Sequence, residues 1–368
     1  MIAVNLHDYQ RDCRPEDLTI VSVSFRTARL LRRNMELTKQ RNPGVRFWWI
    51  VVDNSADESE SQSLADADGF VVIPGTQLTA AERRSIAYGS LHHAKSLNVG
   101  IAYARSDTIL VLDPDCFLVL DDWIARVRRL MDEREYVFWG TPYHPERLAN
   151  FNVFGRTNMY FPTAICMFID RARLQNQHKF DLDFTPPVEG RFSLASYQND
   201  IRRLSSEVVN GRMKSRIKTL MTLVSKYGVA GIRDACRLTA GMWAWDRRCD
   251  IGYDVYAKYH RFCRHGHTAL HYARSFPRLF QWWKRFVPQG VCGYPKEPGF
   301  WRPEGFPFVP SELVGQGRWE QFYLGDEPFA LHIGKVTYCG DPRDADTLDS
   351  VLRAAEVRPH TRSMNPSL

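Results

Sequence analysis

The first third of the chain alternates short apolar runs with longer stretches in which apolar positions recur at helical spacing. Leu18 to Phe25 (LTIVSVSF) is β-branched and apolar, which predicts a buried strand. Leu30, Leu31, Met35 and Leu37 then fall near helical spacing, and Pro43-Gly44 ends that helix. Phe47 to Ser55 (FWWIVVDNS) predicts a second buried strand that stops at Asp53, and a Ser/Asp/Glu stretch starts the next helix. Gly69 to Gly75 (GFVVIPG) predicts a third strand. Ser85 to Ala104 predicts a helix on the spacing of Ala87, Leu91, Ala94, Leu97, Ile101 and Ala104. Thr108 to Leu112 (TILVL) predicts a fourth strand, and Asp121-Asp122-Trp123 opens an amphipathic helix to Met131. Four rounds of strand and helix predict an α/β domain with a mostly parallel sheet. Such sheets bind ligands in the crevice beyond the carboxyl ends of their strands. Asp53 and the pair Asp113/Asp115 both fall there, which makes them candidates for one shared site.

The second half is less regular. Thr163 to Asp170 (TAICMFID) predicts a strand, and the basic stretch 204–239 an inserted helical hairpin. Asp254 to Arg264 predicts a helix ending near Gly266, the proline-rich stretch 286–310 a long loop, and Pro328 to Ile333 (PFALHI) a late strand carrying His332. The expected organisation is an N-terminal arm (1–17), an α/β half (18–135), a second half of the same domain (136–340) with an insertion at about 200–240, and a C-terminal tail (341–368).

Composition narrows the class. Among 368 residues, 44% are hydrophobic and 12% aromatic, enough to bury a sizeable core and to exclude a disordered chain. The net charge of +7 suits anionic partners, but no dense Lys/Arg run points to nucleic acid. Eight scattered cysteines form no Cys-x-x-Cys pair, so reduced thiols in a cytoplasmic protein are expected rather than a zinc site. The N-terminus shows no signal-type apolar region, and no apolar run is long enough to span a membrane. The segment 274–286 (RSFPRLFQWWKRF) is basic and aromatic, fitting either a membrane interface at the cytoplasmic face or a helix docked on the domain.

Asp113-Pro114-Asp115 is the sharpest chemical feature. Residues i and i+2 of an extended chain face the same way, so the two carboxylates can share Mg²⁺ or Mn²⁺. The same spacing recurs at Asp66/Asp68, Asp181/Asp183 and Asp344/Asp346, but only the 113/115 pair directly follows an apolar strand. A solvated turn capping the next helix is the plainer alternative.

Three blocks carry a family resemblance: TIVSVSFRT at 19–27, WWIVVDNSADES at 48–59, and HHAKSLNVGIAYARSDTILVLDPDCFLVLDDW at 92–123. In this order they resemble the family 2 glycosyltransferases, whose fold is the Rossmann-like GT-A α/β domain. The resemblance covers about the first 135 residues. It implies a nucleotide-diphosphate sugar donor (UDP-, dTDP- or GDP-linked), a hydroxyl acceptor on a glycan, lipid-linked sugar or other glycoconjugate, and an inverting outcome. By position, Asp53 matches the acid that contacts the base, Asp113 the acid on the ribose and metal side, and Asp115 the direct metal ligand. Phe25-Arg26-Thr27 departs from the family's Thr-Tyr-Asn; its backbone would line the nucleotide pocket, and Arg26 would either reach a phosphate or lie on the surface. Lys95 and Asn98 fall where the family flanks the donor pocket, against simple solvation or a cap. His332 in FALHIGK matches a late histidine that completes the metal or diphosphate shell, against a structural role. His92 and His93 are adjacent on a helix and so do not form a metal pair; they line the donor pocket at most.

Attack by an acceptor hydroxyl also needs a base. The stretch CDIGYDVYAKYHRFCRHGH (249–267) resembles the region that supplies it, with Asp254 the first candidate and Asp250 and Asp246 in reserve. An aspartate opening a helix is equally suited to capping it. Trp243 and Trp245 either stack on a sugar or pack in the core. Two other classes remain: a nucleotidyltransferase, disfavoured because SFRTARLLRR lacks glycine, and a nucleotide-sugar-binding protein without turnover.

Overall fold

The computed structural model describes residues 6–55, 57–67, 69–83, 88–142, 148–152, 155–158, 161–178, 180–185, 251–272, 319–325 and 327–333. The expected insertion at about 200–240, the segment 274–286, the loop 286–310 and the tail lie outside them, as do Trp243, Trp245, Asp246 and Asp250.

The main sheet has seven strands. In chain order they are β1 (Leu18–Ser24), β2 (Phe47–Asp53), β3 (Phe70–Pro74), β4 (Thr108–Leu112), β6 (Phe138–Pro142), β9 (Pro162–Asp170) and β10 (His265–His267). Their spatial order is β10-β6-β9-β4-β1-β2-β3. All neighbours are parallel except those of β9, which runs antiparallel to both β4 and β6. A second, antiparallel sheet joins β5 (Cys116–Leu118), β11 (Ala269–Tyr272), β12 (Trp319–Leu324) and β13 (Glu327–Ile333) in the order β11-β12-β13-β5. A two-stranded ribbon, β7 (Leu148–Asn152) with β8 (Gly155–Asn158), stands apart from both sheets in its pairing.

The strands are apolar on both faces because both faces are covered. Successive residues point to opposite sides, and the core divides accordingly. Ile20, Trp49, Val51, Leu110 and Leu112 pack with α2 (Ala28–Arg41), α3 (Glu58–Ala65) and α6 (Trp123–Arg134), through Leu31, Met35, Leu64, Trp123 and Val127. Val21, Val23, Ile109 and Val111 pack with α5 (Tyr88–Tyr103), through Ala94, Leu97 and Ile101. Gly100 sets the approach of α5, since a Cβ there would lie 2.5 Å from Val21 Cγ1. The expected strands and helices of the first 135 residues are all present, within a few residues at their ends.

The smaller helices fill the connections. α1 (Leu6–Asp12) places Tyr9 edge-on to Trp48, α4 (Ala80–Arg83) precedes α5, and α7 (Arg171–Gln177) follows β9 with Asp170 as its N-cap. The helix expected at 254–264 is shorter: α8 covers Tyr253–Tyr259, and β10 begins at His265. Gly252, with φ of +77°, is the N-cap of α8, so Asp254 lies inside the first turn and is not the cap. No helix among the described residues is long and apolar enough to cross a membrane.

Burial holds the His267 imidazole at about 4, well below the ordinary value of 6.5. Between those values the unfolded chain takes up a proton that the fold resists, so stability falls as pH drops through that window and levels off below it. Melting temperatures of wild type and His267→Gln from pH 7 to 4 should therefore diverge, with the steeper decline in wild type. Equal slopes would rule out this linkage.

Candidate metal centre and nucleotide-binding edge

The carboxyl ends of β1, β2 and β4 lie side by side, and the candidate residues gather there. At the end of β4 the chain reverses. Cys116 N–H donates to the Asp113 carbonyl at 3.0 Å, closing a turn with Pro114 and Asp115 at its corner. Proline suits that first corner because its ring fixes φ. The two carboxylates thus converge through a turn, not through the extended chain expected from the i, i+2 spacing. The turn is anchored at other points as well. Asp113 N–H donates to Ile165 O of β9 at 2.8 Å, and the Asn34 side-chain amide donates to Pro114 O at 3.0 Å and Cys116 O at 3.1 Å.

Immediately after the turn the chain enters β5, which pairs antiparallel with β13 so that His332 lies opposite Cys116. His332 Nε2 comes within 3.4 Å of Asp115 Oδ1, and both residues are buried. One ligand atom from each of Asp113, Asp115 and His332 lies within 4.8 Å of the others. Two carboxylate oxygens and one imidazole nitrogen are a donor set for a divalent cation; oxygen suits Mg²⁺ and Mn²⁺, and the imidazole favours Mn²⁺. The residues present therefore fit such an ion. His93 adds a fourth group, its Nε2 3.4 Å from Asp113 Oδ1. His92 turns elsewhere and bonds the Thr76 carbonyl at 2.8 Å, as expected for neighbours on a helix.

Asp53 ends β2, two strands from β4, so roughly 10 Å of sheet separates it from the turn. Its carboxylate accepts from Ser55 N–H at 3.0 Å and from the Ser61 hydroxyl, which locks the β2–α3 loop. Asn54 accepts from Ser96 Oγ at 2.8 Å and Thr76 N–H at 3.2 Å, tying this loop to α5. Gly75 closes the arrangement, since a Cβ there would lie 2.2 Å from Asp53 O. In the turn after β1, Phe25 is exposed and Thr27 buried. Arg26 takes φ of +57°, and its N–H donates to Ser55 Oγ at 2.8 Å.

Lys95 and Asn98, expected beside the donor, make internal contacts. Lys95 pairs with Glu82, and this bond, with help from Thr79, pulls the Glu82 carboxyl down to about 2. Asn98 binds the segment 183–185: its Nδ2 donates to Asp183 Oδ1 at 2.6 Å, and its Oδ1 accepts from Phe184 N–H at 2.9 Å. Burial pushes the Asp183 carboxyl up, yet bonds from Thr185 and Asn98 outweigh it and hold it below the usual range. Asp254 pairs with Lys258 at 2.9 Å. Tyr256 packs on Phe161, just before β9, while Tyr259 packs on Phe138 at the start of β6. The Phe161 and Phe138 rings also pack on each other, so α8 lies over one aromatic cluster beside β6, with Asp254 in its first turn. Asn34 and the contact of His93 with Asp113 were not singled out in the sequence. A buried polar residue among the apolar positions of α2 was the only available signal for the first.

Residues 19–185 match the family model described as glycosyl transferase family 2. This segment, a little under half of the chain, is similar to the family 2 glycosyltransferase domain. It holds Asp53, Asp113 and Asp115, and its mostly parallel sheet between two helical layers is the GT-A arrangement. No curated protein matches the chain. Among solved structures, the galactosyltransferase LgtC in complex with donor and acceptor sugar analogues matches at 15% identity and a TM-score of 0.30, over 43% of this chain and 59% of that one. The chain thus spans less than two thirds of that enzyme. A mannosyltransferase from Pyrobaculum calidifontis, in complex with GDP-mannose and Mn²⁺, matches at 12% identity and a TM-score of 0.33, over 67% of this chain and 90% of that one. Mannosyl-3-phosphoglycerate synthase from Rubrobacter xylanophilus matches at 14% identity and a TM-score of 0.28, over 47% and 65%.

Gly75→Ala forces Asp53 or Asn54 to move. It should destabilise the domain by about 1–3 kcal/mol, the usual cost of overpacking. Urea unfolding should show a lower midpoint at unchanged slope; an unchanged midpoint would contradict the close approach.

Proposed function

We propose that this protein is a metal-dependent, inverting glycosyltransferase that moves a sugar from a nucleotide-diphosphate sugar to a hydroxyl acceptor. The observation that carries this reading is the convergence of Asp113, Asp115 and His332 at the carboxyl edge of a family 2 domain. Asp53 and the 25–27 turn would receive the nucleoside, with Asp53 accepting from the base. Asp113, Asp115 and His332 would hold Mn²⁺ or Mg²⁺. A divalent ion bound there supplies charge neutralisation for the diphosphate as it leaves.

The remaining chemistry belongs to the chain. The acceptor oxygen forms a bond to the anomeric carbon as the bond from that carbon to the diphosphate oxygen breaks. The electron pair leaves with the nucleoside diphosphate, and the acceptor's proton passes to a carboxylate within hydrogen-bond reach. Asp254 is our candidate for that carboxylate. Its place at the start of α8 supports the assignment, and Lys258 one turn later orients it. Displacement from the face opposite the leaving group inverts the anomeric centre. The acceptor is a glycan, lipid-linked sugar or other glycoconjugate, and the site of action is the cytoplasm or the cytoplasmic face of a membrane.

A ligand that binds only the folded state raises its melting temperature. Nucleoside diphosphates and their sugars, screened with and without Mn²⁺, should yield a metal-dependent shift with one base, and Asp115→Ala should abolish it. No shift with any nucleotide would sink the glycosyltransferase reading. Release of pyrophosphate in place of nucleoside diphosphate would reassign the protein as a nucleotidyltransferase.

With a donor in hand, Asp254→Asn should lower kcat by about 10²–10⁴-fold, the usual weight of a general base. The donor-induced thermal shift should stay at its wild-type size. Wild-type turnover in this variant would remove Asp254 from the mechanism.

A further inference from the structure

Asn34 lies in the middle of α2 and is 1% exposed. Its neighbours along the buried face, Leu31 and Met35, dock the helix on the sheet. Asn34 does something different. Its Nδ2 donates one hydrogen bond to Pro114 O at 3.0 Å and another to Cys116 O at 3.1 Å. Those carbonyls stand on either side of Asp115. An amide nitrogen offers two protons, and here each has its own acceptor. The side chain therefore bridges the corner of the turn to the first residue of β5, the residue that lies opposite His332.

We propose that Asn34 is a positioning residue for the metal centre: its amide clamps the Asp113–Cys116 turn in the shape that brings Asp113, Asp115 and His332 together. The inference rests on the metal-dependent reading above. The clamp addresses a specific electrostatic problem. Two carboxylates held close together repel each other in the absence of a cation, and an unclamped turn would relax by swinging Asp115 away. Bonds to both flanking carbonyls fix the backbone on each side of Asp115, leaving its carboxylate aimed toward His332. Docking of α2 does not require an amide at this point, since leucine would fill similar space with apolar contacts.

The test measures Mn²⁺ affinity of the full chain by electron paramagnetic resonance of free Mn²⁺, with no substrate present. Asn34→Leu and Asn34→Ala remove the clamp. Asn42→Ala is the control: Asn42 is equally buried as the C-cap of the same helix, but its bonds run to Thr38 O at 3.0 Å and from Ile124 N–H at 2.9 Å. The Asn34 variants should bind Mn²⁺ about 10–100-fold more weakly, the usual effect of losing a group that orients a ligand. Asn42→Ala should lower the melting temperature and leave Mn²⁺ affinity intact. Wild-type affinity in folded Asn34 variants would overturn the inference while leaving the metal site standing. A matching loss of affinity in Asn42→Ala would overturn it too, because affinity would then track stability alone. Asn34 variants that fail to fold, beside a folded Asn42→Ala, would make the residue a folding determinant and overturn it as well. A wild-type protein that binds no Mn²⁺ would remove the metal site, and this inference with it.

Discussion

The candidate site depends on one pairing between distant parts of the chain, that of β5 with β13. β5 is only three residues long, and β13 comes from the far end of the described sequence. Their antiparallel register sets His332 opposite Cys116 and so beside Asp115. A shift of one residue would turn His332 to the other face of its strand. The register is held by contacts at the far end of the pair. Phe329 O accepts from Val119 N–H just past the end of β5, and Phe329 and Ala330 lie in the same core as Trp123 and Trp139. Apolar packing of the second sheet thus fixes the position of a polar group that belongs to the first.

Electrostatics explains why so much structure surrounds a four-residue turn. Asp113 and Asp115 come close enough to repel, and Asp115 is buried, where like charges are least well screened by water. A flexible loop would separate them. Here Asp113 N–H is bonded to β9, the turn closes on itself, and Asn34 holds the two carbonyls around Asp115. Rigidity supplied by β9, α2 and the turn itself holds together an arrangement that a divalent ion would favour by balancing its charge. An ion held there as proposed would link its binding to folding of the second sheet, because a ligand preferring the native arrangement stabilises every element that builds it.

Much of the first half was legible in the sequence. Strands covered on both faces appear as continuous β-branched runs, and LTIVSVSF, FWWIVVD and TILVL are such runs. Helices on the sheet appear through their spacing. The acids Asp53, Asp113 and Asp115 stood out because each follows an apolar strand directly. β5 did not, because CFLVL after the turn looks like the lead into the next helix and gains strand character only from β13. The detailed shape of the turn was also hidden: proline between two aspartates fits an extended segment as well as a corner, and the bond from Cys116 to Asp113 decides between them. Asn34 and His93 are single polar residues on helices, and their meaning comes from what lies opposite them across the fold.

Asp254 illustrates the same limit from the other side. An aspartate near the start of a helix reads equally well as a cap or as a functional acid, since both tasks ask for an exposed carboxylate at a helix N-terminus. The backbone removes one of these options: Gly252 takes the left-handed conformation at the cap position, which glycine adopts without strain. Asp254 is then free of the capping task, and its contact is with Lys258 on its own helix. What brings it into the argument is the resemblance of 249–267 to the base-supplying region, together with its place in the first turn of α8. The second half of the chain contributes His332 to the carboxyl edge of the sheet, on a strand. It does so by packing on a scaffold whose own acids were already in place.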